Sequence, residues 1–310
     1  MYVGSTHAIN GKISSEVLSA VLYQFQPFDC KTRDDINKNI NKLTEAMEVA
    51  AAGYPGYDLF ISPEFALQGL DLIRWPEVAV EIDSDEIKKL REKCKELEVW
   101  GIFGLYLKDD SEKTPENVAV TINHRGEIVN VYSKMNPWLP NEQSYPGDCC
   151  QVFDGPKGSK IATIICADGD YAEIWREAAF KGANIIVRIS HYMSPWERAW
   201  EITNTAGAYF NQVYVLACNC AGMDSVYSYF GKSMAVGPDG DIIIESPQGI
   251  PYITKVDVFP GLIDSIRKNN ATSNLMYSFN HRGASCKEYH NRSKDLSDYS
   301  FLDEGSNPNE

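Results

Sequence analysis

The succession of apolar segments is the strongest constraint on this 310-residue chain: strand, helix, strand, helix and hairpin patterns follow one another, and then do so again. In the first round, 19–26 is a β-rich run, and 34–51 spaces Ile36, Ile40, Leu43, Met47 and Ala50 along one helical face. A short apolar strand at 58–62 follows, then a helix over 83–97 with a Ser/Asp start, then a strand at Trp100–Leu107. Runs at 117–122 and 127–132 flank His124-Arg125-Gly126, a hairpin signal. The second round places strands at 160–166, 184–190 and 213–219, with helices at 172–182 and 196–211 between them. Its hairpin joins 233–236 to 241–245 through Pro238-Asp239-Gly240, and Tyr252–Val258 adds an edge. Two similar halves of this kind pack their sheets face to face. The expected fold is an α/β, four-layer α-β-β-α sandwich of two mixed β-sheets with the helices outside. One folded domain covers 1–283, and 284–310, rich in Ser, Asp and Asn, is a polar tail that is disordered alone or docks on a neighbouring subunit.

Charge narrows the partners. With 29 Lys+Arg against 43 Asp+Glu the formal net charge is −14, which argues against nucleic acid, because phosphate binding rests on Lys and Arg. The densest basic stretch, Lys88 to Lys93, is broken by Glu92 and reads as a solvated helix face. No uncharged apolar run approaches the roughly 18 residues of a membrane helix, and residues 1–15 lack the apolar core of a secretory signal. A cytoplasmic location is therefore expected, with no membrane partner. Eight cysteines are too sparse for a disulfide scaffold in a chain this long.

Cofactor and metal signatures are missing from the sequence: there is no phosphate loop, no dinucleotide fingerprint and no His-Glu-x-x-His. Cys218 and Cys220 share one face at the end of a predicted strand, but the five scattered histidines offer no ligand spacing to complete a zinc site. Neither metal nor cofactor is expected. Three other segments carry reactive groups at strand ends, where α/β folds gather them. Ser62-Pro63-Glu64-Phe65 puts a carboxylate after an apolar strand; Tyr132-Ser133-Lys134 puts an ammonium at a strand exit, with Glu142 eight residues on. Ile164-Ile165-Cys166-Ala167-Asp168-Gly169 puts a thiol where a buried strand turns toward a helix. Singly, each has an ordinary reading: an inert buried thiol, a capping carboxylate, a surface lysine. Together, in this order, they make a sharper signal.

With these flanks the chain resembles the nitrilase superfamily, and within it the aliphatic amidase and formamidase branch. The likeness rests on Gly53-Tyr54-Pro55-Gly56 with Glu64 and Leu67-Gln68-Gly69. It continues through Lys134, Pro137-Trp138, Pro140, Glu142 and Tyr145-Pro146-Gly147, then Cys166-Ala167-Asp168-Gly169, Glu173 to Arg176 and Lys181-Gly182-Ala183. Val226 to Gly231 and His281-Arg282-Gly283 extend it. Ala167-Asp168-Gly169, where nitrilases proper usually carry Trp-Glu, argues for amide rather than nitrile substrates.

The resemblance implies hydrolysis of a short aliphatic amide to the acid and ammonia through a thioester on Cys166, without a cofactor. Glu64 is the implied general base. Lys134 and the Ala167 N–H would hold the oxyanion, and Glu142 would hold Lys134 and position the substrate or the deacylating water. A thiol before a helix start and near an ammonium is expected to have a lowered pKa. Glu64, titrating near working pH, is expected to be partly buried. Phe65, Trp138, Tyr192 and Asp168 are the pocket walls and support. A small pocket closed by Trp138 and Tyr192 would favour formamide or acetamide. Four departures bear on the substrate: Phe65 where Tyr is frequent, Ala167 in place of a polar residue, a bulkier segment at 191–198, and an earlier chain end. Two further readings stand beside this one: a related hydrolase or acyl transferase acting on a specialised amide, hydrazide or nitrile, and a non-catalytic binding module of the same fold. The family also implies a homo-oligomer of dimers, up to hexamers.

Overall fold

The computed structural model describes residues 16–71, 73–108, 114–142, 144–224 and 226–273, with backbone alone for 268–273. The predicted tail at 284–310 and His281-Arg282-Gly283 lie outside the described residues. The first half carries β1 (Leu18–Gln24), α1 (Ile36–Gly53), β2 (Leu59–Ile61), α2 (Trp75–Val78), α3 (Asp85–Leu97), β3 (Trp100–Leu107), β4 (Glu116–Ile122) and β5 (Ile128–Ser133). Beyond it come β6 (Val152–Asp154), β7 (Lys160–Ile165), α4 (Ala172–Phe180), β8 (Ile185–Ser190), α5 (Glu197–Asn211) and β9 (Tyr214–Asn219). The chain then adds β10 (Ala221–Met223), β11 (Ser228–Phe230), β12 (Met234–Val236), β13 (Ile242–Glu245), β14 (Tyr252–Val258) and α6 (Pro260–Ser273).

The repeated order becomes a repeated sheet. One sheet runs β14-β1-β2-β3-β4-β5 and the other β13-β12-β9-β8-β7-β6. Each has three adjacent parallel strands: β1, β2 and β3 in one, β7, β8 and β9 in the other. A hairpin adds two antiparallel strands on one side, and β14 or β6 pairs antiparallel on the other. Both sheets are mixed, as expected.

Strand periodicity builds the layers, since successive side chains point to opposite faces. Val21, Phe60 and Phe103 pack with Ile40 and Leu43 of α1 and Leu90 of α3. Their neighbours Ala20, Leu22, Ile61 and Ile102 face the other way, against Ile165, Val187 and Leu216 of the second sheet. On that sheet's far side, Ala162, Ile186 and Val215 meet Ile174 of α4 and Trp200 of α5. Three apolar seams thus separate four layers. Helix starts follow local chemistry: Ser84 Oγ accepts from Ile87 N at 3.4 Å at the start of α3.

Besides the short α2, β6, β10 and β11, which the sequence pattern did not announce, two features differ from the expectation. The helix α6 was not anticipated; it opens with Pro260, suited to a first helical turn, and sends Ile263 into the seam between the sheets. The strand expected at 160–166 stops at Ile165, because Cys166 turns to a left-handed φ of 48°.

Helices α4 and α5 touch at Gly207, where a Cβ would stand 2.6 Å from the Trp175 ring. That ring cannot drift freely, as its Nε1 donates to Gly169 O at 2.9 Å. Gly207→Ala should therefore lower the urea unfolding midpoint. Overpacking costs about 1–3 kcal/mol, which exceeds the roughly 1 kcal/mol that alanine gains over glycine in a helix. A higher midpoint would show that the contact yields.

Candidate active site

Four of the predicted residues converge at the ends of strands from both sheets. Glu64 leaves β2 beside Gly104 of β3, where a Cβ would lie 2.5 Å from Pro63 O and 2.7 Å from Glu64 Cα. Only glycine permits that approach. Phe65 then takes a left-handed φ of 55°. Lys134 follows β5, and its Nζ lies 2.8 Å from Glu64 Oε1 and 2.6 Å from Glu142 Oε2. All three side chains are buried. Cys166 follows β7 and is half-buried. It lines, with Glu64, Lys134 and Glu142, one cavity of about 400 Å³.

The two carboxylates are not equivalent. An ionised carboxylate offers about four lone-pair positions. Glu142 has all of them filled: Oε1 accepts from Asn117 Nδ2 at 2.8 Å and Ser144 Oγ at 2.9 Å, and Oε2 from Lys134 and from Trp138 N at 3.1 Å. Glu64 accepts from Lys134, from Asn117 Nδ2 at 2.7 Å and from His191 N at 2.8 Å. One position on Oε2 is left. Burial acts against the charged form of Glu142, but Lys134, Asn117 and the Trp138 N–H outweigh it and hold its carboxyl below the usual range. For Glu64, burial, with Glu142 adding to it, prevails over Lys134 and raises the carboxyl. Burial also opposes the Lys134 charge, yet the two carboxylates keep its pKa well above that of a free lysine.

Two expectations about these groups need correction. The thiol is raised rather than lowered: burial, and next the Glu64 carboxylate, push Cys166 well above an ordinary thiol, despite the pull of Lys134 and Arg188. The element after it is a five-residue 3-10 turn, Cys166–Asp170, with α4 starting only at Ala172, so no helix terminus offsets the burial. Glu64 is fully rather than partly buried.

Phe65, Trp138, Ala167 and Tyr192 line the cavity with Leu70, Met193 and Trp196. Asp168 does not line it; it braces the site instead, accepting from Asn136 N and Tyr132 Oη at 2.8 Å each and from Ile165 N at 3.0 Å. Trp138 and Tyr192 line a cavity of about 400 Å³ rather than closing a small pocket, and Tyr192 Oη donates to Asp170 Oδ1 at 2.8 Å. Asn117, Asp170 and the His191 N–H were missed. Asn117 carried one weak signal, a lone amide at the head of an apolar strand. The His191 Nδ1 sits 3.1 Å from Glu64 O; a carbonyl only accepts, so Nδ1 carries the proton. Burial lowers this ring to about 4, so it is neutral. Among the described residues, no three of His, Cys, Asp and Glu gather as a metal-binding group.

A family profile described as carbon-nitrogen hydrolase matches residues 20–268. The chain belongs to that family. This carbon-nitrogen hydrolase is 35% identical over 285 residues to a formamidase of Helicobacter acinonychis (strain Sheeba), covering 91% of this chain and 85% of the relative. It is 37% identical over 267 residues to a formamidase of Bacillus cereus (strain Q1), covering 85% and 80%. Its fold matches Saccharomyces cerevisiae Nit3, a member of branch 10 of the nitrilase superfamily, with a TM-score of 0.74 at 22% identity, over 83% of this chain and 96% of that one. An amidase from Nesterenkonia sp. AN1, solved with the acetamide moiety of fluoroacetamide added covalently at its active-site cysteine, has a TM-score of 0.72 at 20% identity, over 86% and 99%.

The charge cluster makes a prediction independent of turnover. Lys134→Met would leave two buried carboxylates without their cation, and breaking such a pair costs about 3–5 kcal/mol. Their folded pKa values would then lie above the unfolded ones. The folded form of the variant therefore gains stability as pH falls through those raised values, and loses it as pH rises. Urea unfolding should show a large deficit against the native chain at pH 7.5 and a smaller one at pH 5. A deficit independent of pH would refute the coupling.

Proposed function

We propose that this hydrolase cleaves a linear carboxamide to the carboxylic acid and ammonia through a thioester on Cys166. The observation that carries the reading is the single unfilled acceptor position on Glu64, a carboxyl raised by burial that shares its cavity with a protonated thiol. Glu64 takes the Cys166 proton as the sulfur attacks the carbonyl carbon. The Lys134 ammonium and the Ala167 N–H receive the negative charge of the tetrahedral oxygen. Protonated Glu64 then delivers its proton to the departing nitrogen, and ammonia leaves an acyl-enzyme. Water, deprotonated by Glu64, attacks the thioester; the acid departs and the proton returns to sulfur. Glu142, with no acceptor position free, acts by fixing Lys134.

Formamide and acetamide are the first substrate class, supported by the formamidases it resembles. The cavity favours a second. At about 400 Å³, walled by Phe65, Leu70, Met193 and Trp196, it falls in the roughly 300–1,000 Å³ range of sites for much larger ligands. A specialised amide with an apolar acyl group would use that space. A dimer-based homo-oligomer, up to a hexamer, rests on the resemblance; the exposed Ile202 and Phe210 of α5 are apolar surface that a subunit contact would cover. A single domain is supported over residues 20–268 of the family match; its bounds at 1 and 283 rest on the sequence. A cytoplasmic location rests on the sequence; no helix among the described residues is long and apolar enough to cross a membrane.

Ammonia release from formamide, acetamide, butyramide and benzamide tests both classes. Cys166→Ala should abolish release, and Glu64→Gln should lower kcat by about 10²–10⁴-fold. Mass spectrometry of the intact native chain mixed with substrate should show the acyl adduct, absent in Cys166→Ala. A kcat/KM rising with acyl size selects the second class. Turnover of hydrazides or nitriles alone would select the related-hydrolase reading, and no turnover or adduct with amide, hydrazide or nitrile would favour the non-catalytic one.

A further inference from the structure

The reaction above makes no use of Arg188, yet its side chain is fully buried on β8. Its three nitrogens make five hydrogen bonds. Nε and Nη2 both donate to the carbonyl oxygen of Cys166, at 3.1 and 2.7 Å. Nη1 donates to Thr203 Oγ1 at 2.7 Å and Asn204 Oδ1 at 3.3 Å, and Nη2 also reaches Asp170 Oδ1 at 3.3 Å. The rings of Trp200 and Tyr192 lie over the guanidinium, at 4.9 and 5.1 Å. Space for it depends on Gly169, where a Cβ would stand 2.2 Å from Arg188 Cζ.

A buried cation is costly unless closely paired. The carboxylate facing this one, Asp170, is 3.3 Å away with a side chain 42% exposed. Stability alone is a poor reason for the charge. Its forked contact falls instead on Cys166, a residue with a side chain held at a φ of 48°, which costs strain and persists only where the surroundings impose it. The carbonyl of Cys166 is the handle by which they can do so.

We propose that Arg188 is a positioning residue: its fork grips the Cys166 carbonyl and holds the strained turn that presents the thiol to the cavity. The grip extends to the cavity wall, because Asp170, Thr203 and Tyr192 all line it. The inference rests on Cys166 being the nucleophile, so its test includes a readout that needs no amide. Alkylation of Cys166 by iodoacetamide, kcat and KM on the best amide, and the thermal midpoint are measured for Arg188→Met, Arg188→Lys and Thr203→Val. Misplacing a reacting group by about 1 Å can cost roughly 100-fold. Arg188→Met should lower kcat by about that factor with KM within roughly threefold, as expected when ground-state binding is spared, and alkylation should slow in parallel. Arg188→Lys, which keeps the cation but replaces the fork by a single nitrogen, should recover part of both rates. Thr203→Val should show a smaller loss of both at an unchanged midpoint. If Arg188→Met does not fold, the other two variants decide. Folded variants that alkylate and turn over at the native rate, or losses that only follow the melting, overturn the proposal. Slowed alkylation in a protein that hydrolyses no amide would uphold the grip while the amidase reading falls.

Discussion

Two carboxylates and one ammonium enclosed together, Glu64, Glu142 and Lys134, carry a net charge of −1 out of water, and that charge adds to burial in setting the sulfur beside them. A thiolate would bring the total to −2, and this repulsion adds to burial in holding the Cys166 thiol well above an ordinary one. Reaction then needs no new charge in the cluster. Moving a proton from sulfur to Glu64 leaves the sum unchanged, and the negative charge passes with the attacking sulfur to an oxygen that Lys134 can meet. A permanently ionised thiol would leave Glu64 nothing to accept from it and nothing to return to nitrogen. The high pKa of the sulfur and the raised pKa of the carboxyl are thus one arrangement, both consequences of burial around a single cation.

Much of this was legible in the sequence, for identifiable reasons. Strands such as β3 and β14 were read at their full extent because an apolar run bounded by turn residues is local information. Glu64, Lys134 and Cys166 stood out because each sits at a strand exit within a recognisable flank, and Glu142 because it follows Lys134 by eight residues in such a flank. What could not be read was the balance between burial and nearby charge at Cys166, which depends on groups about 30 and 100 residues away in the chain. Asn117 and Arg188 were hidden for a related reason. Each is a polar residue inside an apolar strand, and only the folded neighbourhood shows that its hydrogen bonds end on functional groups rather than on the frame. The short β6, β10 and β11 were hidden by their length, three residues each being too few for a period to appear.

The charged groups and the thiol belong to different sheets, and this divides the labour of the fold. Glu64, Asn117 and Lys134 are attached to β2, β4 and β5 of the first sheet; Cys166 and the His191 N–H are attached to β7 and β8 of the second. An apolar seam sets the spacing of the sheets by close packing, but its dispersion contacts are not directional. Hydrogen bonds are, and the sheets are fastened where it matters. Asp168, two residues past the sulfur, takes the Tyr132 hydroxyl and the Asn136 N–H on either side of Lys134. His191 N, from the second sheet, ends on the Glu64 carboxylate of the first. With those two ties in place, packing supplies the stability of the sandwich while directional bonds set the distance between base and sulfur. A substitution in the seam and one at a tie should therefore differ in kind, the first changing how long the protein stays folded and the second how well the folded protein works.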